Sequence, residues 1–448
     1  MFKKILVANR GEIAVRIIRT CREMNIKTVA VYSEADRDAL HVRMADEAVC
    51  IGAPQPSHSY LSIPNIISAA ITRKAEAIHP GYGFLSENPY FAEICDTSGI
   101  KFIGPSAAAI EAMGAKARAR ELMAEAGVPV VPGSPGLVTR VDEIAKIAES
   151  IGYPVIVKAT AGGGGRGMRV ANNLDELEKS VITASNEAEA AFGDGGVYLE
   201  KYLEEPRHVE IQILADQHGQ AVYLGERDCS IQRRHQKLVE ETPGPSLTGD
   251  LRRQMGQAAV RAALSVNYSG AGTVEFLLDR SGNYYFIEMN TRIQVEHPVT
   301  EWVTGIDLVA AMIDIAAGAP LPYRQEELGT RGAAIECRIN AEDPDHDWRP
   351  CPGKVTDYLP PGGFGVRVDS GIYIGYEIPH YYDSLIAKLI TWGNDRREAT
   401  RRMQRALGEF KIAGVVTTIP FLQRIMENAW YQRGESYTNF IQRRMEGQ

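Results

Sequence analysis

The 448-residue sequence is poor in cysteine and contains no long uninterrupted apolar run. Its 6 cysteines are far apart and form no C-x-x-C pair, which argues against a zinc site and against a disulfide framework. The longest apolar stretch, GIDLVAAMIDIAAGAPL, is interrupted by Asp307 and Asp314, and the first residues lack the apolar core of a signal peptide. We therefore expect a cytoplasmic protein that does not cross a membrane.

An excess of positive charge is also missing, because the formal net charge is −8. The basic cluster from Arg233 to Lys237 lies among acidic residues, so it indicates a local site and not a nucleic-acid surface. The hydrophobic content of 44% and the charged content of 24% are typical of a globular protein. A chain of this length exceeds one compact core, which predicts two or three sub-domains.

Short apolar strands alternate with helical patterns in the first part of the chain. The segments KILVA, TVAVYS, AVCIG and EAIHP are predicted strands, and Ile13, Ile17 and Cys21 recur at helical spacing after the first of them. This alternation predicts an α/β arrangement with a parallel sheet. After Glu204 the strands become longer, as in HVEIQIL, TVEFLL and YYFIEMN, and their alternating pattern predicts an antiparallel sheet.

A run of glycines in ATAGGGGRGMRV, residues 159–170, matches the spacing G-x-G-x-x-G of a dinucleotide-binding fingerprint. That fingerprint requires a helix after the glycines, whereas MRVA is a predicted strand. The pattern instead predicts a hairpin whose backbone N–H groups could cover a polyphosphate, with Lys158 and Arg166 as flanking cations. An ordinary surface hairpin is the alternative interpretation.

A second hairpin is predicted within residues 273–301, where the turn DRSGN separates TVEFLL from YYFIEMN. If the chain stays extended, alternate polar residues share one face: Glu288, Asn290, Arg292, Gln294 and Glu296. Glu275 on the first strand approaches Glu288, and two such carboxylates repel each other unless a cation lies between them. No histidine or cysteine shares this face before His297, so the ligands fit Mg²⁺ or Mn²⁺ better than zinc. A solvated edge strand is the alternative.

Together, a glycine hairpin and a two-carboxylate hairpin predict a nucleoside triphosphate site, because phosphoryl transfer needs positioned phosphates, a bridging metal and cation clamps. The sequence also resembles the biotin carboxylases, the ATP-grasp components of biotin-dependent carboxylases. The resemblance extends from the N-terminus to beyond residue 440 and is carried by ILVANRGEIAVRIIR, HPGYGFLSEN, IGYPVIVKATAGGGGRGM, EKYLEEPRHVEIQ, ERDCSIQRRHQK, FIEMNTRIQVEHPVTE, ECRINAEDP and PPGGFGVRVDS.

The resemblance implies an α/β fold, α+β overall, in three domains. These are an N-terminal Rossmann-like domain over 1–114, an ATP-grasp region over 115–317 and a C-terminal mixed domain over 318–448. The ATP-grasp region would combine a central antiparallel sheet with a mobile lid at about 131–203. It also implies a reaction, in which ATP and bicarbonate give carboxyphosphate, and biotin is then carboxylated at its ureido nitrogen.

The resemblance further assigns roles to individual residues, with ATP, Mg²⁺ (or Mn²⁺) and biotin as cofactors. The ATP-binding group would be Lys116, Lys158, Gly162, Gly163, Gly164, Gly165, Arg166, Gly167, Glu200, Lys201, Leu203, His208, Gln232, His235 and Leu277. The metal ligands would be Glu275, Glu288 and Asn290. Bicarbonate would contact Lys237, Arg292, Gln294 and Val295, with Glu296 as general base. Biotin would contact Tyr82 and Arg338, and Arg338 would stabilise its enolate-like form.

The resemblance implies partners as well. No A-M-K-M biotin attachment sequence occurs in the chain, so we expect a separate biotin carboxyl carrier protein and separate carboxyltransferase subunits. A homodimer is expected through Arg16, Arg19, Glu23, Phe364 and Arg367. Acetyl-CoA carboxylase in fatty acid synthesis is the expected holoenzyme, and pyruvate or propionyl-CoA carboxylase are alternatives.

Three further hypotheses remain beside this one. A different ATP-grasp ligase would share the glycine loop and the paired glutamates, but it would have no reason to carry RIQVEH. A nucleotide-sensing scaffold would lose Glu296 or Lys237, and both are present. A nicotinamide-dependent dehydrogenase is disfavoured, because KILVANRGE lacks the required glycines.

Overall fold

A computed structural model describes residues 1–134, 136, 141–159, 168–192 and 197–445. The N-terminal part is a five-stranded parallel sheet in the order β3-β2-β1-β4-β5, and it includes all four predicted strands. Its strands are β1 (Lys4–Val7), β2 (Lys27–Ser33), β3 (Glu47–Gly52), β4 (Ala77–His79) and β5 (Lys101–Phe102). Its helices are α1 (Gly11–Glu23), α2 (Leu40–Met44), α3 (Ile63–Thr72), α4 (Pro89–Thr97) and α5 (Ala107–Gly114).

Helix α1 shows why this part folds as the sequence predicts. Ile13, Ile17 and Cys21 lie on one side of the helix and are fully buried. They join one apolar cluster with Ile5 of β1 and with Ile313 from a later helix. The helix therefore packs the N-terminal sheet against the rest of the molecule.

The next part contains a three-stranded antiparallel sheet in the order β7-β6-β8. Strands β6 (Val155–Ala159) and β7 (Met168–Ala171) pair as the two arms of the predicted glycine hairpin. The glycine loop itself lies outside the described residues. The remaining elements are α6 (Lys116–Glu125), α7 (Val141–Ile151), α8 (Leu174–Phe192) and β8 (Val197–Lys201).

An eight-stranded antiparallel sheet forms the centre of the molecule, as the alternating strands predict, in the order β13-β12-β9-β10-β11-β14-β21-β19. Its first five strands in the chain are β9 (Arg207–Ala215), β10 (Ala221–Arg233), β11 (Gln236–Thr242), β12 (Gly270–Leu278) and β13 (Tyr284–Asn290). The helices of this region are α9 (Gly249–Ser265), α10 (His297–Thr304) and α11 (Leu308–Ala316).

The C-terminal region extends the same sheet, since β14 pairs with β11. The sheet strands are β14 (Ala333–Asn340), β19 (Val366–Ser370) and β21 (Leu385–Gly393). Short strands are β15 (Glu342–Asp343), β16 (Arg349–Pro350), β17 (Gly353–Lys354), β18 (Asp357–Leu359), β20 (Glu377–Ile378) and β22 (Lys411–Ala413). The helices are α12 (Arg396–Glu409), α13 (Ile419–Glu427), α14 (Ala429–Gln432) and α15 (Phe440–Arg444). The sheet thus continues across the domain boundary predicted at 317/318.

Candidate active site

A large cleft of about 1750 Å³ opens between the N-terminal sheet, the three-stranded sheet and the central sheet. Every predicted site residue that the structure describes lines this cleft: Tyr82, Lys116, Lys158, Glu200, Lys201, Leu203, His208, Gln232, His235, Lys237, Glu275, Leu277, Glu288, Asn290, Arg292, Gln294, Val295, Glu296 and Arg338. Gly162, Gly163, Gly164, Gly165, Arg166 and Gly167 lie outside the described residues.

The three-stranded sheet contributes two facing charges to the cleft. Lys158 on β6 forms an ion pair with Glu200 on the neighbouring β8, and Arg120 of α6 pairs with the other oxygen of the same carboxylate. Glu200 is buried. Arg120 was not among the predicted site residues, and it adds a third charged group to this wall of the cleft.

Two carboxylates face each other on the central sheet, as the predicted hairpin requires. Glu275 on β12 and Glu288 on β13 are direct cross-strand partners. Burial, together with the nearby charge of Glu275, raises the pKa of Glu288. The side-chain amide of Asn290 donates to Oε1 of Glu275 over 2.9 Å. Two carboxylates and an amide oxygen fit a hard divalent cation, which would relieve the repulsion that raises this pKa.

The surroundings of Glu275 differ from the sequence prediction in one respect. His208, from the adjacent strand β9, lies with Nε2 2.9 Å from Oε2 of Glu275. The alternation of residues along the predicted hairpin placed no histidine on this face before His297. That pattern covers only β12 and β13, however, and His208 comes from β9, which pairs with the other edge of β12. Burial raises the pKa of Glu275, and the charges of Lys237 and His208 lower it well below its usual value.

The polar row after the hairpin is not one extended strand, so that prediction was wrong beyond Asn290. Strand β13 ends at Asn290, and Glu296 is the N-cap of α10 with φ −81° and ψ 8°. The chain must turn here because α10 begins at His297 with Pro298 in its first turn. The polar side chains nevertheless face the same cleft.

Glu296 lies between two cations in the wall of the cleft. Its Oε1 is 2.6 Å from Nζ of Lys237, and its Oε2 is 2.8 Å from Nη2 of Arg338. Burial raises the pKa of Glu296, but the charges of Lys237 and Arg338 lower it well below its usual value. The carboxylate is therefore ionised near neutral pH, and both of its oxygens are held in ion pairs.

The two cations are themselves held by further buried carboxylates. Lys237 Nζ lies 2.5 Å from Oε2 of Glu210 and 3.0 Å from Oε1 of Glu275. Arg338 Nε donates to Oε1 of Glu240 over 2.6 Å. Burial lowers the pKa of Lys237, and its three carboxylate neighbours raise it well above its usual value, so the ammonium stays charged.

Gln294 and Arg292 are each oriented by a residue that the sequence analysis missed. Arg227 is fully buried and donates to Oε1 of Gln294 over 2.7 Å. Glu87 accepts from Nε of Arg292 over 2.9 Å. Charged residues inside the otherwise apolar strand β10 could have identified Arg227 as a functional residue. Glu87 lies in a turn-rich segment, where no sequence pattern distinguishes it.

Tyr82 lines the cleft at the end of the N-terminal sheet, and its hydroxyl donates a hydrogen bond to the buried carboxylate of Glu12 on α1.

The residues predicted to form a dimer interface lie outside the cleft. Arg16 pairs with Glu301 over 2.8 Å, and Arg367 pairs with the same carboxylate over 2.7 Å. Arg19, Glu23 and Phe364 are exposed, Phe364 to 75%. Among the described residues, no helix has both the length and the apolar character needed to cross a membrane.

Family models cover most of the chain in three successive segments. Residues 1–110 match "Biotin carboxylase, N-terminal domain", and residues 336–443 match "Biotin carboxylase C-terminal domain". Residues 115–324 match "Carbamoyl-phosphate synthase L chain, ATP binding domain".

Several known proteins are similar to this chain over nearly its full length. The chain is 63% identical to the biotin carboxylase of Nostoc sp. (strain PCC 7120) over 98% of this chain and 99% of that protein. It is 58% identical to one of the pyruvate carboxylase subunits of Methanothermobacter thermautotrophicus over 98% of this chain and 90% of that protein. The biotin carboxylase domain dimer of Hydrogenobacter thermophilus 2-oxoglutarate carboxylase, solved with MgADP, ADP and bicarbonate, has a TM-score of 0.91 and 53% identity over 99% and 98% of the chains.

These matches cover nearly the whole chain at high identity, and they agree with the parallel N-terminal sheet and the antiparallel central sheet described above. The chain therefore belongs to the biotin carboxylase family of ATP-dependent ligases, which carboxylate biotin with bicarbonate.

Proposed function

We propose that this chain carboxylates biotin on a separate carrier protein, by way of carboxyphosphate, as the first half-reaction of acetyl-CoA carboxylase. The observation that carries the proposal is the position of Glu296 between Lys237 and Arg338, in the same cleft as Glu275 and Glu288. A carboxylate that could accept a proton, a lysine that could bind an anion and two carboxylates that could bind a metal ion therefore line the same cleft.

Bicarbonate would bind at Lys237, Arg292, Gln294 and the backbone of Val295. An anion that must approach the phosphates of ATP needs fixed positive charge, and Lys237 remains charged in this cluster. When bicarbonate replaces the contact of Glu296 with Lys237, Glu296 would accept the bicarbonate proton. The freed oxygen would then form a bond to the γ-phosphorus, ADP would leave, and carboxyphosphate would result.

The phosphates of ATP would be held by Lys116, Lys158 and the glycine segment from Gly162 to Gly167, which includes Arg166. Adenosine would contact Glu200, Lys201, Leu203, His208, Gln232, His235 and Leu277. Glu275, Glu288 and Asn290 would hold Mg²⁺ or Mn²⁺, which supplies charge neutralisation on the transferring phosphoryl group when it is bound. The lid would span about 131–203, and the proposed domains are 1–114, 115–317 and 318–448.

Biotin would bind beside Tyr82 and Arg338. Carboxyphosphate would give CO₂ and phosphate, the phosphate would accept the proton of the ureido nitrogen, and that nitrogen would then form its bond to CO₂. Negative charge would develop on the ureido oxygen once the proton is lost. Arg338 is half-buried and permanently charged, so its guanidinium would stabilise that enolate-like form. Its hydrogen bond to Glu240 would keep the guanidinium plane fixed while biotin enters.

The carrier and carboxyltransferase partners belong to the same proposal, as does a cytoplasmic location. The similar proteins act in different holoenzymes by name, including pyruvate carboxylase and 2-oxoglutarate carboxylase. We favour acetyl-CoA carboxylase, with pyruvate or propionyl-CoA carboxylase as alternatives. A homodimer through Arg16, Arg19, Glu23, Phe364 and Arg367 is supported by the exposure of the Phe364 ring.

The test is ADP release by the purified chain with MgATP and bicarbonate, with and without free biotin, and with trapping of labelled carboxybiotin. Stimulation by biotin together with labelled product is the expected result. ATP hydrolysis that is indifferent to both biotin and bicarbonate would instead favour another ATP-grasp ligase. Assay of the product with acetyl-CoA, pyruvate and propionyl-CoA carboxyltransferases would then identify the holoenzyme.

A further inference from the structure

Lys388 on β21 is a fully buried lysine that the mechanism above does not use. Its Nζ donates to the carbonyl oxygen of Val295 over 2.7 Å and lies 3.2 Å from Oε1 of Glu12. A buried ammonium is costly unless it is paired and hydrogen-bonded. The ion pair with Glu12 supplies the countercharge, and the backbone carbonyl takes a directed hydrogen bond.

That carbonyl lies in the segment that precedes Glu296. Because the peptide bond is planar, fixing the oxygen of Val295 also fixes the direction of the Glu296 N–H group. A second buried side chain holds the same segment, since Nδ1 of His297 lies 2.7 Å from the carbonyl oxygen of Gln294. The loop that presents Glu296 to the cleft is therefore held from the protein interior at two successive carbonyls.

The same lysine is connected to the opposite wall of the cleft. Oε1 of Glu12, on helix α1, is the carboxylate oxygen nearest to Lys388, and it also accepts a hydrogen bond from the hydroxyl of Tyr82. Burial raises the pKa of Glu12, and the charge of Lys388 lowers it. Lys388 and Glu12 thus form a short buried link between the Val295 carbonyl on one side and the Tyr82 hydroxyl on the other.

Building on the proposed function, we propose that Lys388 and Glu12 are positioning residues that order the bicarbonate segment and the biotin pocket together. Lys388 sets the Val295–Glu296 peptide through the carbonyl, and Glu12 sets the Tyr82 ring through its hydroxyl. Loss of the link leaves the cleft intact but releases both groups. Binding of bicarbonate weakens, whereas binding of MgATP, whose proposed ligands lie elsewhere in the cleft, does not.

The test compares Lys388→Met with the double variant Lys388→Met/Glu12→Gln, in which the ion-pair partner of Lys388 is neutral as well. The matched control is Arg396→Met/Glu241→Gln, which removes another ion pair of a buried carboxylate, one that does not line the cleft. We expect the KM for bicarbonate to rise about tenfold in the double variant, the scale of one hydrogen bond to a charged donor. The KM for MgATP should change by less than about twofold, and the control should change neither.

Adding Tyr82→Phe to the double variant gives a second readout. Because the link is already broken there, the further rise in the KM for biotin should be much smaller than the rise that Tyr82→Phe causes in the wild type. A bicarbonate KM equal to that of the wild type, or one that the control raises equally, would overturn the proposal.

Crystal structures separate this inference from the proposed function. In the Lys388→Met protein the Val295 carbonyl should rotate away from its wild-type direction, and an unchanged carbonyl would contradict the positioning role whatever the enzyme does. Wild-type protein without bicarbonate-dependent ADP release would instead count against the proposed function alone.

Discussion

Lys237 and Glu296 form an ion pair in the wall of the cleft, with Nζ 2.6 Å from Oε1. Both groups are charged at neutral pH, because each is in contact with opposite charges that outweigh the effect of burial on its pKa. In this pair, Glu296 neutralises the ammonium charge of Lys237, which an incoming anion would need. In the proposed mechanism, bicarbonate would take the place of Glu296 at Lys237 when it binds.

Glu296→Gln is expected to reduce biotin-dependent turnover by at least about a hundredfold, the scale of a general base, because the amide cannot accept the bicarbonate proton. Affinity for MgATP should stay nearly unchanged, since its proposed ligands lie elsewhere in the cleft. Steady-state ADP release and calorimetric titration with nucleotide measure the two effects. Glu409→Gln, in an exposed pair on α12, is the control, and near-normal turnover of the Glu296 variant would remove this residue from the mechanism.

Glu288→Gln should weaken nucleotide binding only when a divalent metal is present. The substitution removes one of two facing carboxylates, so we expect the affinity for MgATP to fall by at least about tenfold. Binding of ADP in the presence of a chelator should resemble that of the wild type. Calorimetry with and without Mg²⁺ separates the two conditions, and an unchanged MgATP affinity would rule out the metal role of Glu288.

Glu240 predicts a pH dependence of stability. Burial raises the pKa of its carboxyl group to about 7, even though Arg338 acts in the opposite direction. A raised pKa means that the folded protein binds this proton more tightly than the unfolded chain does. The stabilisation is complete below the pKa of the unfolded chain and is lost as the pH rises through about 7.

Glu240→Gln removes this titration while keeping the shape and the neutral hydrogen-bonding side chain. The midpoint of thermal unfolding of the wild type should therefore fall relative to that of the variant as the pH rises from about 5 to about 8. Scans at several pH values, with Glu409→Gln as an exposed control, measure the difference. Parallel curves for wild type and Glu240→Gln would mean that this carboxyl group does not titrate in the range.

Arg19→Glu combined with Phe364→Ala should shift the protein from dimer to monomer. Both side chains are exposed in the isolated chain, so changing them should cost little folding stability, whereas an interface would lose an apolar anchor and gain like charge. Sedimentation velocity measures the mass. Arg253→Glu, on α9, is the charge-matched control, and a variant that sediments like the wild type would place the interface elsewhere.

The local elements were predictable because each depends on a short-range pattern. The strand and helix periods of the N-terminal sheet, the DRSGN turn and the strand after the glycine loop each required only neighbouring residues. The pairing of Glu275 with Glu288 followed from the same turn, since a tight hairpin fixes which residues stand opposite each other. The predicted alternation of side chains does not hold after Asn290, because the chain turns there to begin helix α10 and no longer follows an extended strand.

The sequence by itself determined the local elements, the family and many of the residues that face the cleft. Only the tertiary structure decided the partners of those residues. His208 reaches Glu275 because strand β9 pairs with β12, and Lys388 reaches Glu12 because β21 lies against helix α1. Such contacts join positions far apart in the chain, and they depend on strand order and packing. No local period of the sequence encodes that order. Once the chain is folded, each buried charge needs such a partner, because an unpaired buried charge is strongly destabilising.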